Sequence, residues 1–179
     1  GHGSGNYFKF GSHKFMITAA HVVEHKFKSY VQDGDTMVEL DVVYIDANRD
    51  IALVVPKKEL VSIKAKKYRI NKKSDLVGKT IYYAGHPADM GKGLFKGFVS
   101  QANDGFLVMQ SFALPGSSGS VVFDFWGRAI GVVSSVKISF SSVSPYPSLV
   151  ETAVFVERIN FIDGKFIKEI FKDDRSGHL

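Results

Sequence analysis

The sequence predicts an all-β protein of two lobes with a helix at its C-terminus, and three observations carry that expectation. Short β-branched and aromatic runs recur along most of the chain with turn residues between them. A lysine-rich stretch interrupts those runs near the middle. After Phe155 the apolar period changes to that of a helix.

Taken in order, residues 7–10, the turn Gly11-Ser12-His13 and residues 14–18 read as a hairpin. Further strands are expected at 36–45, 51–55, 79–83, 94–101, 106–110, 120–123, 129–136 and 152–156. Turn signals fall at Asp33-Gly34-Asp35, Asn103-Asp104-Gly105 and Trp126-Gly127. This spacing suits a β-barrel or sandwich. The Ser-rich stretch 139–148, with Pro145 and Pro147, reads as a surface loop. Phe161, Ile162, Phe166, Ile167, Ile170 and Phe171 fit an amphipathic helix, with Gly164 a weak point in its first turn. The expected organisation is therefore a first lobe over 1–59, a linker over 60–71, a second lobe over 72–158, and a helix with tail over 159–179.

Composition narrows the function. The 179 residues are 45% hydrophobic and 23% charged, the balance of a soluble globular domain. No apolar run reaches the roughly 18 residues that span a bilayer. No signal peptide is visible; Gly1-His2 need not be a native start, so the compartment stays open. With no cysteine, disulfides and thiol catalysis are excluded. The histidines form one close pair, His21 and His25, without the acid of an HExxH site, so neither a metal nor another cofactor is expected. The net charge of +5 is concentrated in 57–79, where nine basic residues face Glu59 and Asp75. A solvated connector is the first reading of that stretch, and contact with nucleic acid or another polyanion is the second.

Chemistry is suggested by three segments. Ile17-Thr18-Ala19-Ala20-His21 offers a base, Asp50-Ile51-Ala52-Leu53 an acid at a strand start, and Pro115-Gly116-Ser117-Ser118-Gly119-Ser120 a serine between glycines. A serine hydroxyl needs a base within hydrogen-bond reach and a third group that orients the base. Asp41 and Asp46 compete with Asp50 for the third role. Asp50 is preferred because the apolar strand that follows it can bury it against the base.

In these motifs the chain resembles the chymotrypsin-fold (trypsin-like) serine peptidases, most of all their disulfide-free HtrA-like and viral branches. Asp50 lies 29 positions after His21, and Ser118 lies 68 after Asp50, as in compact members. Tyr83-Ala84-Gly85-His86-Pro87 followed by Gly97-Phe98-Val99-Ser100 resembles the HtrA-like loop and strand. The length leaves no room for the PDZ module that often follows HtrA-like protease domains.

The resemblance implies two six-stranded antiparallel β-barrels with the active site in the cleft between them. It implies a triad of His21, Asp50 and Ser118, an oxyanion hole of the Gly116 and Ser118 amides, and a polypeptide substrate. Ser117 stands where many digestive relatives carry an aspartate that pairs with a new N-terminus, so activation by N-terminal insertion is not expected. The implied primary pocket is walled by Phe112, Ala113, Leu114 and Pro115, by Ser134, Ser135 and Val136, and by Thr152, Ala153 and Val154. Phe112 falls at its base, so a small or medium apolar residue before the cut is expected rather than Lys or Arg. The alternatives are a catalytically silent peptide-binding module and a processing protease that also contacts nucleic acid through 57–79.

Overall fold

The computed structural model describes residues 2–141 and 148–173. The first part of the chain forms a six-stranded sheet of β1 (Gly5–Phe10), β2 (His13–Thr18), β3 (Ser29–Asp33), β4 (Thr36–Asp46), β5 (Ile51–Pro56) and β6 (Lys66–Lys67), in the order β3-β4-β5-β2-β1-β6. Alternation sets the register. Phe8 pairs with Phe15 and Tyr7 with Met16, so neighbouring positions feed two different cores. Strand β3 pairs with β4 across the Gly34 turn and was not expected. Of the two barrels expected, the first is realised as a half-barrel. Its last strand, β6, has only two residues and runs parallel to β1, too short to carry the ladder round to β3.

The second part closes into a barrel of β7 (Thr80–Gly85), β8 (Gly93–Ala102), β9 (Phe106–Gln110), β10 (Val121–Asp124), β11 (Ala129–Ser141) and β12 (Ser148–Arg158), in the order β10-β11-β12-β9-β8-β7. Strands β11 and β12 run on into the expected 139–148 loop, because Phe140 pairs with Leu149 and Ser141 with Ser148. The rest of that loop, 142–147, lies outside the described residues.

Two cores account for the join and the barrel. Phe8, Phe15, Ile17, Ile51 and Leu53 of the first sheet pack with Val121, Val132, Ile159, Ile162 and Ile167 of the second part. Each such side chain contributes about 1.5–3 kcal/mol on leaving water, so the two parts share one hydrophobic unit. The barrel has its own interior around Ile81, Tyr83, Val99, Met109, Ile130 and Val156.

A C-terminal helix covers the joint, but it starts later than the periodicity suggests. Counting the four-residue turn of helix Ala20–Val23 as α1, it is α2 (Gly164–Asp173). Asp163 caps it by accepting the Phe166 N–H at 3.0 Å, and that bond first among its causes holds the Asp163 carboxyl below its ordinary range. Phe161 and Ile162 therefore precede the helix, and buried Ile162 and Ile167 close over the cap as a hydrophobic staple.

The stretch 60–71 is not a free connector. Tyr68 is buried and donates its hydroxyl to the Ile162 carbonyl at 2.9 Å, and Asn71 is buried against Asp124 at 2.9 Å. Lys66, Lys67 and Arg69 stay exposed between these anchors. Among the described residues no helix is long and apolar enough to cross a membrane.

Candidate active site

His21 sits on α1, immediately after β2. Ala19 and Ala20 are fully buried, so only small side chains let this turn press against the second part. Asp50 ends the turn between β4 and β5, a turn that Asp46 stabilises by accepting the N–H groups of Asn48 and Arg49 at 3.0 and 3.1 Å. The Asp50 backbone has φ = 50°, a left-handed conformation that side-chain-bearing residues rarely adopt. Such strain persists where the surrounding contacts over-determine it. Here they do: the carboxylate lies 2.9 and 2.8 Å from His21 Nδ1, and it also accepts the His21 backbone N–H at 2.9 Å. With Nδ1–H directed at the carboxylate, Nε2 is left as an acceptor. Asp41 pairs with Lys57 and Asp46 serves its own turn, so neither competing acid takes the place of Asp50.

Ser118 comes from the other half of the fold, just before β10. Its hydroxyl donates to the Ser134 carbonyl at 3.2 Å, and the Ser134 hydroxyl donates to Asp50 Oδ2 at 2.5 Å. Ser118, Ser134, Asp50 and His21 thus form one hydrogen-bonded chain. The register explains why Ser134 can do this. The β11·β12 ladder slips between Val133 and Ser135, and a bulge at that point turns the serine out of the ladder towards Asp50. Glu157 lies near enough that burial, and then the Asp50 charge, raise its carboxyl above the ordinary range.

The loop before Ser118 is held by its own bonds and by the first strand. Ser117 is fully buried, and its hydroxyl accepts the Leu114 N–H at 3.3 Å. Ala88 N–H donates to the Pro115 carbonyl at 2.7 Å, and Tyr83 donates to the Phe112 carbonyl. Ser4 ties the loop to the first sheet. Its hydroxyl donates to the Gly116 carbonyl at 2.7 Å, its N–H donates to the Ser118 carbonyl at 2.8 Å, and its own carbonyl accepts from Thr18 at 2.7 Å. Gly116 and Gly119 have φ of +98° and +91°. A Cβ on Gly116 would collide with the His86 carbonyl oxygen, and one on Gly119 with the Ser4 carbonyl and the Thr18 hydroxyl.

The family model for the trypsin-like peptidase domain matches residues 3–132, a span holding all three candidate residues. The chain belongs to the trypsin-like peptidase domain family. The fold agrees. The crystal structure of the serine endoprotease from Yersinia pestis superposes with a TM-score of 0.70 at 19% identity, over 96% of this chain and 58% of that one. The chain thus spans less than two thirds of that protein. Comparison with curated proteins by sequence gives no match.

Of the residues expected to wall a primary pocket, Phe112 is half-exposed and stacks on Phe95 at 5.6 Å, which in turn stacks on Tyr83 at 5.0 Å. Pro115 and Ser135 are exposed, and Leu114, Ser134, Val136 and Ala153 are half-buried. Ala113 and Val154 are buried in the barrel interior, beneath the surface rather than on it. Thr152 lies on β12, and its side chain is outside the described residues. The His86 side chain is exposed, while its backbone N–H donates to Ser4 at 3.0 Å. Ser4 and Ala88 were not singled out in the sequence, and Tyr83 was named only within a motif, since bonds to distant backbone carbonyls leave no mark in residue pattern.

The glycine geometry gives a stability prediction. Gly119→Ala should destabilise the peptidase domain by roughly 2–6 kcal/mol, from backbone strain of ~1–3 and overpacking of ~1–3 kcal/mol. Urea unfolding should show a lower midpoint at unchanged slope, and an unchanged midpoint would contradict the close approach of Ser4 and Thr18.

Proposed function

We propose that the domain is a serine endopeptidase that cuts polypeptides through an acyl-enzyme formed on Ser118. The observation that carries this is the hydrogen-bonded chain from Ser118 through Ser134 and Asp50 to His21. Attack requires the Ser118 hydroxyl to leave the Ser134 carbonyl for His21 Nε2, a bond of the kind that tightens only when substrate is bound. Ser118 Oγ then adds to the scissile carbonyl while Nε2 takes its proton, and Asp50 stabilises the imidazolium. The same proton passes to the leaving amine, and water hydrolyses the ester by the reverse sequence. The Gly116 and Ser118 N–H groups, which donate to no group among the described residues, are the donors proposed for the developing oxyanion.

The substrate backbone is proposed to add as a strand along Ser134, Ser135 and Val136. The backbone bonds between the β10 side and β11 end at Val133, which supports an open edge over 134–136. Phe112, Ala113, Leu114 and Pro115 contain no acid, so a Lys or Arg side chain at the pocket would be desolvated without a partner. A small or medium apolar residue is the proposed preference. Phe112→Asp should raise kcat/KM for a Lys substrate relative to an Ala substrate by at least about 10-fold, or ~1.4 kcal/mol. Cleavage-site profiling in a peptide library checks this, and an unchanged ratio removes Phe112 from the pocket.

A second reading draws on the hold that Ser134 has on the Ser118 hydroxyl: a peptide-binding module that does not cut. Labelling by a fluorophosphonate separates the two. Wild type should label at Ser118, whereas a silent module would not.

A further inference from the structure

At the opposite end of β10 from Ser118, two large rings stand in water. Phe125 and Trp126 are 71% and 65% exposed and meet edge to face with centroids 5.6 Å apart. Four residues of strand, roughly 13 Å, separate this turn from the nucleophile loop. The rings are held in place. Buried Asp124 accepts the Trp126 and Arg128 N–H groups at 2.9 Å each, Arg128 Nε at 2.7 Å and Asn71 Nδ2 at 2.9 Å.

Cations surround them. The Arg128 guanidinium lies 5.2 Å from the Trp126 ring centroid, and Arg69 donates to the Trp126 carbonyl at 2.6 Å. Residues 69–71 run beside the turn, bonded to Ala129 in both directions at 2.7 and 2.8 Å. The exposed Lys66, Lys67, Lys72 and Lys73 lie within three residues of this segment in the chain. Lys72 is paired with Asp163 and Arg128 with Asp124, while Lys66, Lys67 and Lys73 have no carboxylate partner among the described residues.

We propose that this surface binds single-stranded nucleic acid, with unpaired bases stacking on Phe125 and Trp126 and phosphates following the cations of 66–73. Every base has a face that stacks on an aromatic ring, and a fixed row of lysines suits a polyanion. Double helices keep their bases stacked on one another and could not use the rings. An anionic bilayer shares the charge but favours rings free of fixed ions. Here a guanidinium sits over Trp126, and the Asp124 carboxylate holds the turn's backbone, which suits a hydrated partner.

Trp126 is the only tryptophan, so it reports on its own site. Titration of the full chain with a uridine 12-mer in 50 mM salt should quench its emission saturably. With three to four phosphate contacts, affinity should fall about 20- to 50-fold on going to 200 mM salt. Phe125→Leu should weaken binding of a dye-labelled 12-mer about 5- to 160-fold, the worth of one lost stack. Lys67→Glu with Lys73→Glu should abolish it, and Ser118→Ala should bind as wild type does. Circular dichroism checks that each variant is folded. The proposal is overturned by absence of quenching at 50 mM salt, by Phe125→Leu binding as wild type does, by tighter binding to a duplex of the same length, or by equal binding to vesicles with 30% anionic lipid.

Discussion

Ser118→Ala should lower kcat for peptide hydrolysis by about 10⁶-fold while leaving the fold intact. The serine is half-buried, and its hydroxyl makes one bond, to the Ser134 carbonyl, so its loss removes little structure. What it removes is the atom that would form the acyl-enzyme. His21→Ala should cost nearly as much, and the double variant little more than either alone, because base and nucleophile act as one unit. A fluorogenic peptide assay gives the rates, and urea unfolding shows that stability is retained. Residual activity in Ser118→Ala above about a tenth of wild type would assign the hydrolysis to another group.

Asp50→Asn should lower kcat about 10⁴-fold with little change in KM. The Asp50 carboxylate accepts from His21 Nδ1, from the His21 backbone and from Ser134. An asparagine has one acceptor oxygen for these donors. If its amide NH₂ faces Nδ1, the imidazole must carry its proton on Nε2, and it can then no longer take one from Ser118. Wild-type KM with depressed kcat is the expected signature, since none of the residues proposed to line the pocket is replaced. The same substitution removes the charge that helps raise Glu157. Its carboxyl should therefore titrate lower in Asp50→Asn than in wild type, stopping above the ordinary value because burial, the larger cause, remains. Titration followed by carboxyl NMR checks that sign, and an unmoved Glu157 would mean that the two carboxylates do not interact.

Strands that build their own hydrophobic face were legible without coordinates. Residues 51–55 and 106–110 are apolar runs bounded by turn residues, and β5 and β9 lie where those runs do. Strand β3 escaped notice because Ser29–Asp33 alternates only weakly, and it gains its ladder from β4 across the Gly34 turn. Strand β6 has almost no pattern to read: two lysines pair with β1 because Tyr68 is anchored next to them. The helix start was misplaced for a similar reason. Phe161 and Ile162 keep the apolar period of α2, yet Asp163 satisfies its first amides and sets the boundary.

The candidate site divides in the same way. His21, Asp50 and Ser118 lie in motifs whose glycines and alanines reflect tight packing, and these can be read from residue type. The bulge that turns Ser134 towards Asp50 depends on how two strands slip past each other. Ser4 depends on a backbone meeting more than a hundred positions away in the chain. Neither leaves a mark in residue type.

Ser4 bonds both Gly116 and Ser118 while anchored through Thr18, so the loop before Ser118 gains part of its order from the docking of the first sheet on the barrel. Folding and the proposed activity are thereby coupled. A nascent chain whose first sheet has not reached the barrel lacks the three Ser4 bonds that set the loop around Ser118. On heating, hydrolysis should be lost together with the shared core that joins the halves, even if the barrel's own interior persists.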